Sequence, residues 1–192
     1  MKGYELSYVA MSSSDPAGVA NILDEDLGMY GTTIKGGSGS DVFAFAAGCS
    51  MICVFDCNHP LLDRPGKTGV DHIAFAVPDP EATASSHSLG VLGRGIEHGI
   101  GDTRQVRVDP AYTAGVRIRF SEPLTTPGIC GDTIERIDHL GVASLDISGD
   151  EEFFSGNLGC PVESRQTDME VSLPVESFTS DKYGVILSLI HI

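Results

Sequence analysis

The chain has 192 residues, with 27 Asp and Glu against 12 Lys and Arg, and a formal net charge of −15. This negative charge argues against binding to nucleic acid or to an anionic membrane, because phosphate groups would be repelled. No apolar run approaches the roughly 20 residues of a membrane span, and residues 1–6 lack the pattern of a signal peptide. Five cysteines without a CxxC pair argue against a disulfide framework. We expect a cytoplasmic protein whose partner is a small molecule, and homo-oligomer formation stays open.

A strand-like phrase occurs three times at nearly equal spacing, in residues 6–12, 70–76 and 137–143. Each copy is followed by an aspartate, a polar segment that can be helical, and a Leu-Gly pair. Strand-like and turn-rich segments come next, so each repeat predicts a strand, a helix and then about three strands. The predicted repeats are residues 1–57, a degenerate copy, residues 68–122, and residues 136–192.

Alternation within the phrases predicts which way the repeated histidines face. Residues two apart share one face of a strand, so His72 lies with Ala74 and Ala76. His139 lies in the same way with Gly141 and Ala143. Because the neighbours are small, we expect open space above each histidine, with room for a metal and a small molecule.

Three stretches carry a resemblance to a known superfamily: residues 71–79, residues 138–142 with Leu158-Gly159, and Asp109-Pro110 leading to residues 115–118. They resemble the vicinal oxygen chelate superfamily of glyoxalases, methylmalonyl-CoA epimerases, extradiol dioxygenases and bleomycin-resistance proteins. The second repeat is most similar to the epimerases. The resemblance implies an α+β fold, in which repeated βαβββ units form cupped mixed sheets with helices on the outer face. It also implies a divalent metal, one of Zn, Fe, Mn, Ni or Co, in the cup, the concave face of the sheet.

The resemblance further implies a histidine ligand on the first strand of a unit and a glutamate on the last. His72 and His139 match the histidine and are the expected metal ligands, whereas Tyr8 replaces it in the first repeat. Counting four residues from Gly115 places Arg119, not glutamate, at the other position. Arg119 and Tyr8 are therefore expected to bind the substrate, since Arg suits an anion better than it suits a metal site.

In the first repeat, the same count of four residues from Gly48 gives Ile52. Tyr8, Ile52, His72 and Arg119 would then form a cup without metal. The sequence does not identify the catalytic residues.

Residues 187–192 have a second interpretation. The end of a common sequencing adapter encodes this same peptide, so we expect these residues not to be native. The third repeat would then be truncated, and the chain would be a fragment. The alternative is a genuine apolar strand over residues 185–192.

Three functions remain open at this point. The first is a metal-dependent enzyme of the superfamily, a glyoxalase-like lyase or isomerase or an epimerase, acting on a small oxygen-chelating substrate. The second is an extradiol-type or hydroxyphenylpyruvate-type dioxygenase. The third is a small-molecule binding module without catalysis. One scaffold hosts all of these chemistries, so the fold alone does not decide between them.

Overall fold

A computed structural model of the chain describes residues 4–37, 39–93, 95–124, 134–137, 140–143, 147–160 and 186–188. By its contacts the chain divides into two units. One unit is Glu5–Ile137, and the other combines Met1–Tyr4 with Asp138–Ile192. The predicted first repeat, apart from Met1–Tyr4, and the predicted second repeat lie in the first of these units.

The unit Glu5–Ile137 contains eight strands. In chain order they are β1 (Glu5–Ser13), β2 (Gly31–Lys35), β3 (Asp41–Ala47), β4 (Ser50–Asp56), β5 (Gly69–Ala76), β6 (Glu97–His98), β7 (Arg104–Arg107) and β8 (Ile118–Ser121).

One mixed sheet holds all eight strands, in the order β2-β3-β4-β1-β5-β8-β7-β6. The first strands of the two halves, β1 and β5, pair antiparallel at its centre. Each also pairs parallel with the last strand of its own half, β1 with β4 and β5 with β8. The sheet curls into a half-barrel, so the predicted α+β class is confirmed.

Each half has a short helix after its first strand. Helix α1 spans Pro16–Asn21 and continues as a π-helical turn over Ile22–Asp26, and α2 spans Pro80–Ser86. Asp15 and Asp79 cap them by accepting the backbone N–H of Gly18 and Ala82, each at 3.0 Å. Proline follows each cap, where its missing N–H costs no helical hydrogen bond. Two 3-10 turns, Ile100–Asp102 and Pro110–Tyr112, complete the unit.

Apolar side chains fill both faces of the sheet. On the outer face, Ala20 and Leu23 of the first helical segment pack against Phe45, Ala47 and Val54. On the concave face a second cluster includes Tyr8, Cys53, Phe55 and Ala74, with Leu61 and Leu62 from the connection between the halves. None of the helices that the structure describes is both long enough and apolar enough to cross a membrane.

The two ends of the curved sheet come close to each other. A Cβ on Gly37, which follows β2, would lie 2.3 Å from the carbonyl oxygen of His98 in β6. A side chain would not fit this contact, so glycine is required there. The chain after β2 and strand β6, at the two edges of the sheet, therefore touch at this point.

The other unit is described only in part. Strand β9 (Gly141–Ala143) pairs antiparallel with β10 (Ile186–Ser188). Helix α3 (Ile147–Glu151) continues as a π-helical turn over Glu152–Asn157. The predicted metal ligand His139 lies outside the described residues, as do residues 189–192.

Candidate anion-binding site

Tyr8, His72 and Arg119 meet on the concave face, as strand alternation predicts. The rings of Tyr8 and His72 make an edge contact with centroids 5.6 Å apart. Nε2 of His72 lies 3.4 Å from the hydroxyl oxygen of Tyr8. Arg119 lies on β8 opposite Ala74, two residues from His72. The three side chains that were predicted in the cup therefore form one polar cluster.

Ile52 does not belong to this cluster, and its predicted place in the cup is wrong. It packs against the outer-face cluster, whereas the next residue, Cys53, lies in the concave core. Ala10 pairs with Cys53 in the first half, as Ala74 pairs with Arg119 in the second. Cys53 lies five residues after Gly48, whereas Arg119 lies only four residues after Gly115. Counting four residues from both glycines therefore selects Ile52 instead of Cys53.

The space above His72 is filled, contrary to the expectation of an open cup. Tyr8, His72 and Arg119 are only 1%, 2% and 0% exposed. Residues 57–68, here called the connecting segment, join β4 to β5 and cover them. Leu61 and Leu62 of this segment pack into the concave core.

Arg119 is a fully buried cation that is only partly satisfied. Its Nη2 donates to the carbonyl oxygen of Leu61 and, at 2.8 Å, to Oδ1 of Asp63. The same oxygen lies 3.5 Å from Nη1 of Arg107. Among the described residues, Nε and Nη1 of Arg119 have no hydrogen-bond partner. Buried charged donors without partners are costly, so these two nitrogens mark a place for an anionic or strongly polar ligand.

Asp71 and His72 form a buried dyad. Nδ1 of His72 lies 2.8 Å from Oδ1 of Asp71. Burial, assisted by the charge of Arg119, lowers the pKa of His72 to about 4, although Asp71 opposes the shift. Since the imidazole is then neutral near pH 7, a proton on Nδ1 facing the carboxylate leaves Nε2 as an acceptor. The dyad therefore presents an unprotonated but weakly basic nitrogen to the cup.

Asp71 also anchors the connecting segment. Its two carboxylate oxygens accept the backbone N–H groups of Asp63 at 2.9 Å and Arg64 at 3.0 Å. Burial alone would raise the pKa of Asp71, but these bonds and the bond from His72 outweigh burial and lower it on balance. The carboxylate of Asp71 therefore stays ionised and fixes the backbone of the connecting segment at Asp63 and Arg64.

Tyr8 and Gln105 extend the cluster. The hydroxyl of Tyr8 donates to Oε1 of Gln105 at 3.3 Å. Burial raises the pKa of Tyr8, against the opposing charge of Arg119, so the hydroxyl remains protonated. Nε2 of the fully buried Gln105 has no partner among the described residues. The sequence prediction missed both Gln105 and Asp63, which stand outside any recognisable motif.

Asp63, Asp71 and His72 are close enough to be considered as metal ligands. One donor atom from each lies within 4.8 Å of the others. However, both oxygens of Asp71 and Nδ1 of His72 already form hydrogen bonds, and Oδ1 of Asp63 faces two arginines. A divalent cation would have to break these bonds beside the buried charge of Arg119. The three side chains in this arrangement therefore do not fit a metal centre.

Comparison with known proteins adds information on the fold. No protein-family model matches the sequence, and a search of curated proteins gives no significant match. Among solved structures, methylmalonyl-CoA epimerase from Mycobacterium tuberculosis matches with a TM-score of 0.52 and 19% identity, over 62% of this chain and 88% of that one. The chain has the vicinal oxygen chelate fold.

Ligand-bound epimerases have the same fold. A variant of the Streptomyces coelicolor enzyme in complex with 2-nitronate-propionyl-CoA matches with a TM-score of 0.54 and 16% identity, over 67% of this chain and all of that one. An epimerase in complex with methylmalonyl-CoA and NH4+ matches with a TM-score of 0.53 and 15% identity, over 71% of this chain and all of that one. These structural matches confirm the resemblance at the level of the fold.

Proposed function

We propose that the cup binds a small carboxylate-bearing substrate at Arg119, and that the chain is an enzyme which moves a proton to and from Nε2 of His72. The observation that carries this proposal is the fully buried guanidinium of Arg119, whose Nε and Nη1 lack partners among the described residues. Guanidinium groups match carboxylates in shape and charge. The fold neighbours support the proposal, since one holds methylmalonyl-CoA, which combines a carboxylate with an acidic C–H bond.

Proton transfer needs a stronger base than His72 is beside an unneutralised Arg119, and the carboxylate of a bound substrate would raise the pKa of His72 by offsetting that charge. The C–H proton of the substrate would pass to Nε2 of the neutral His72, and the electron pair of that bond would become an enolate oxyanion. The proton could then return to the same carbon from Nε2. Asp71, hydrogen-bonded to Nδ1, would stabilise the imidazolium, while Arg119 and the Tyr8 hydroxyl would stabilise the oxyanion.

Hydrogen exchange into a substrate tests the proposal. The protein is incubated with methylmalonyl-CoA in D2O, and loss of the signal of the acidic C–H is followed by proton NMR. The wild type should accelerate exchange, and His72→Gln should abolish it while methylmalonyl-CoA still binds. Arg119→Met should abolish binding. Arg104→Met is the matched control, because Arg104 is a half-exposed arginine paired with Glu122.

Two outcomes would change the conclusion. Binding that depends on Arg119 without any exchange would indicate the binding module that the sequence left open. Exchange that survives both His72→Gln and Arg119→Met would refute the assignment of these residues.

A metal-dependent enzyme is the second candidate function, whether a glyoxalase-like lyase or isomerase, an epimerase or a dioxygenase. The proximity of Asp63, Asp71 and His72 is its support, but the three side chains would have to release their present hydrogen bonds and ion pairs to take up a metal. Metal analysis of the purified protein, before and after chelation, with exchange measured in parallel, distinguishes the two candidates.

A further inference from the structure

The cup already holds a ligand-like group that belongs to the chain itself. Leu61 and Leu62 of the connecting segment contribute to the apolar cluster on the concave face, together with Tyr8 and Ala74. The next residue, Asp63, places its carboxylate on Arg119 at 2.8 Å. An apolar branched group and a carboxylate thus lie side by side over the polar cluster of the cup.

The geometry of the Arg119 guanidinium shows that Leu61 and Asp63 block its binding to a second carboxylate through two donors. A guanidinium binds a carboxylate through two donors at once, along the edge formed by Nε and Nη2 or the edge formed by Nη1 and Nη2. Both edges include Nη2, and Nη2 is the nitrogen that Leu61 and Asp63 occupy. The two unpartnered nitrogens therefore cannot offer a two-donor edge until the segment moves.

We propose that Leu61–Asp63 is an internal occupant of the site, and that the substrate is a carboxylate with an adjacent branched apolar group, which displaces it. This inference rests on the proposed function, because it requires Arg119 to bind the substrate carboxylate. The ligand would take both the charge position of Asp63 and the apolar volume of Leu61. A substrate with a carboxylate alone would gain the first contact but not the second.

The connecting segment is fixed by hydrogen bonds near its two ends, which would allow its middle part, Leu61–Asp63, to move. Ser12 donates to the carbonyl oxygen of Lys67 at 2.6 Å, and Gly66 donates to that of Cys57 at 2.7 Å. Gly66 has a φ of +77°, and a Cβ there would meet no atom within 4 Å. Leu61–Asp63 is held over the cup by contacts to Arg119, Arg107, Asp71 and the apolar cluster, while Leu61 and Leu62 also donate to His59 within the segment itself.

Binding of 4-methylpentanoate, measured by isothermal titration, tests the proposal on the whole chain. Asp63→Asn keeps the size of the side chain but removes the competing charge, so affinity should rise about tenfold as the open state becomes more populated. Acetate should bind more weakly than 4-methylpentanoate to both proteins. Asp41→Asn is the control, because Asp41 is an exposed carboxylate paired with Lys35, and it should leave affinity unchanged.

A second variant and a second measurement distinguish a change in ligand binding from a folding defect. Leu61→Ala shortens the apolar group but keeps Asp63, and it should also bind 4-methylpentanoate more tightly. In Asp63→Asn the backbone N–H of Leu62 should exchange with solvent faster than in the wild type.

The outcomes separate the two proposals. If the wild type binds 4-methylpentanoate and neither variant binds it more tightly, the internal occupant is refuted and the proposed function stands. If the wild type, Asp63→Asn and Leu61→Ala bind neither 4-methylpentanoate nor methylmalonyl-CoA, both the proposed function and the proposed substrate class are refuted.

Discussion

Cys53 occupies in the first half of the sheet the position that Arg119 occupies in the second. Each lies on the last strand of its half, paired with an alanine of the first strand, Ala10 or Ala74. Burial raises the pKa of the Cys53 thiol, so this side chain is neutral. The cup therefore has one apolar side and one cationic side. A ligand with a single negative charge should bind in one orientation, with its charge towards β8.

Removing Arg119 should destabilise the fold. Arg119→Met leaves the largely buried Asp63 with only the longer contact to Arg107, so we expect a loss of about 2 to 4 kcal/mol in the free energy of unfolding. Adding Asp63→Asn should recover part of the loss, because no unpaired carboxylate remains. Urea unfolding of the two single variants and the double variant gives the coupling directly. Purely additive effects would contradict the importance of the pair.

Acidification should destabilise the protein between pH about 6.5 and 4. In this range the unfolded chain protonates His72, whereas the folded chain, with a pKa of about 4, does not. The free energy of unfolding should therefore fall by about 3 kcal/mol as the pH falls through this window. Below about pH 4, protonation of Asp71, whose pKa is lowered in the fold, adds a further loss. Chemical unfolding as a function of pH measures both.

Two variants isolate the contribution of His72 to this pH dependence. His72→Gln should flatten the dependence between pH 6.5 and 4, apart from a smaller contribution of the same sign from His59, whose pKa burial lowers. His98→Gln is the control, because it removes an exposed histidine that lies outside the buried cluster. An equal slope in the wild type and in His72→Gln would contradict the interpretation.

Metal binding, where it occurs, should depend on His139 more than on His72. His72 lies beside the cation Arg119, which raises the electrostatic cost of a divalent ion. His139→Ala should therefore abolish stoichiometric metal, while His72→Ala should mainly alter substrate binding or stability. Elemental analysis of both variants, with His98→Ala as the control, decides the point. Loss of metal in His72→Ala alone would place the ion in the Asp63, Asp71 and His72 cluster.

Gly48 and Gly115 should differ in their tolerance of alanine. Both precede the last strand of their half and have positive φ, +64° and +83°. A Cβ on Gly48 would lie 2.3 Å from the carbonyl oxygen of Glu135, whereas a Cβ on Gly115 would meet no atom within 4 Å. Gly115→Ala should cost about 1 kcal/mol from backbone strain alone, and Gly48→Ala at least twice as much. Equal losses of stability in thermal unfolding would mean that the backbone at Glu135 moves away from the new side chain at little cost.

Strand periodicity made the fold and part of the site predictable. Tyr8, His72 and Arg119 converge because alternation along a strand is local, and the repeated phrases place their strands side by side. Asp63 escaped prediction because it lies in a nonperiodic turn, and its partner Arg119 is 56 residues away. Gln105 escaped because only the curvature of the sheet brings it to Tyr8. Ile52 was misplaced because the two turns differ in length by one residue.

The position of β1 at the centre of the sheet has a consequence for biosynthesis. Its neighbours β4 and β5 begin only at Ser50 and Gly69, so β1 leaves the ribosome well before either partner exists. Until then, both edges of a nine-residue strand whose central part is buried in the finished fold are unpaired and open to association with other chains. Folding that waits for such distant partners is intrinsically slow. Variants that delay the pairing of β1 with β5 should therefore reduce the yield of nascent folded chains more than they reduce the stability of the finished protein.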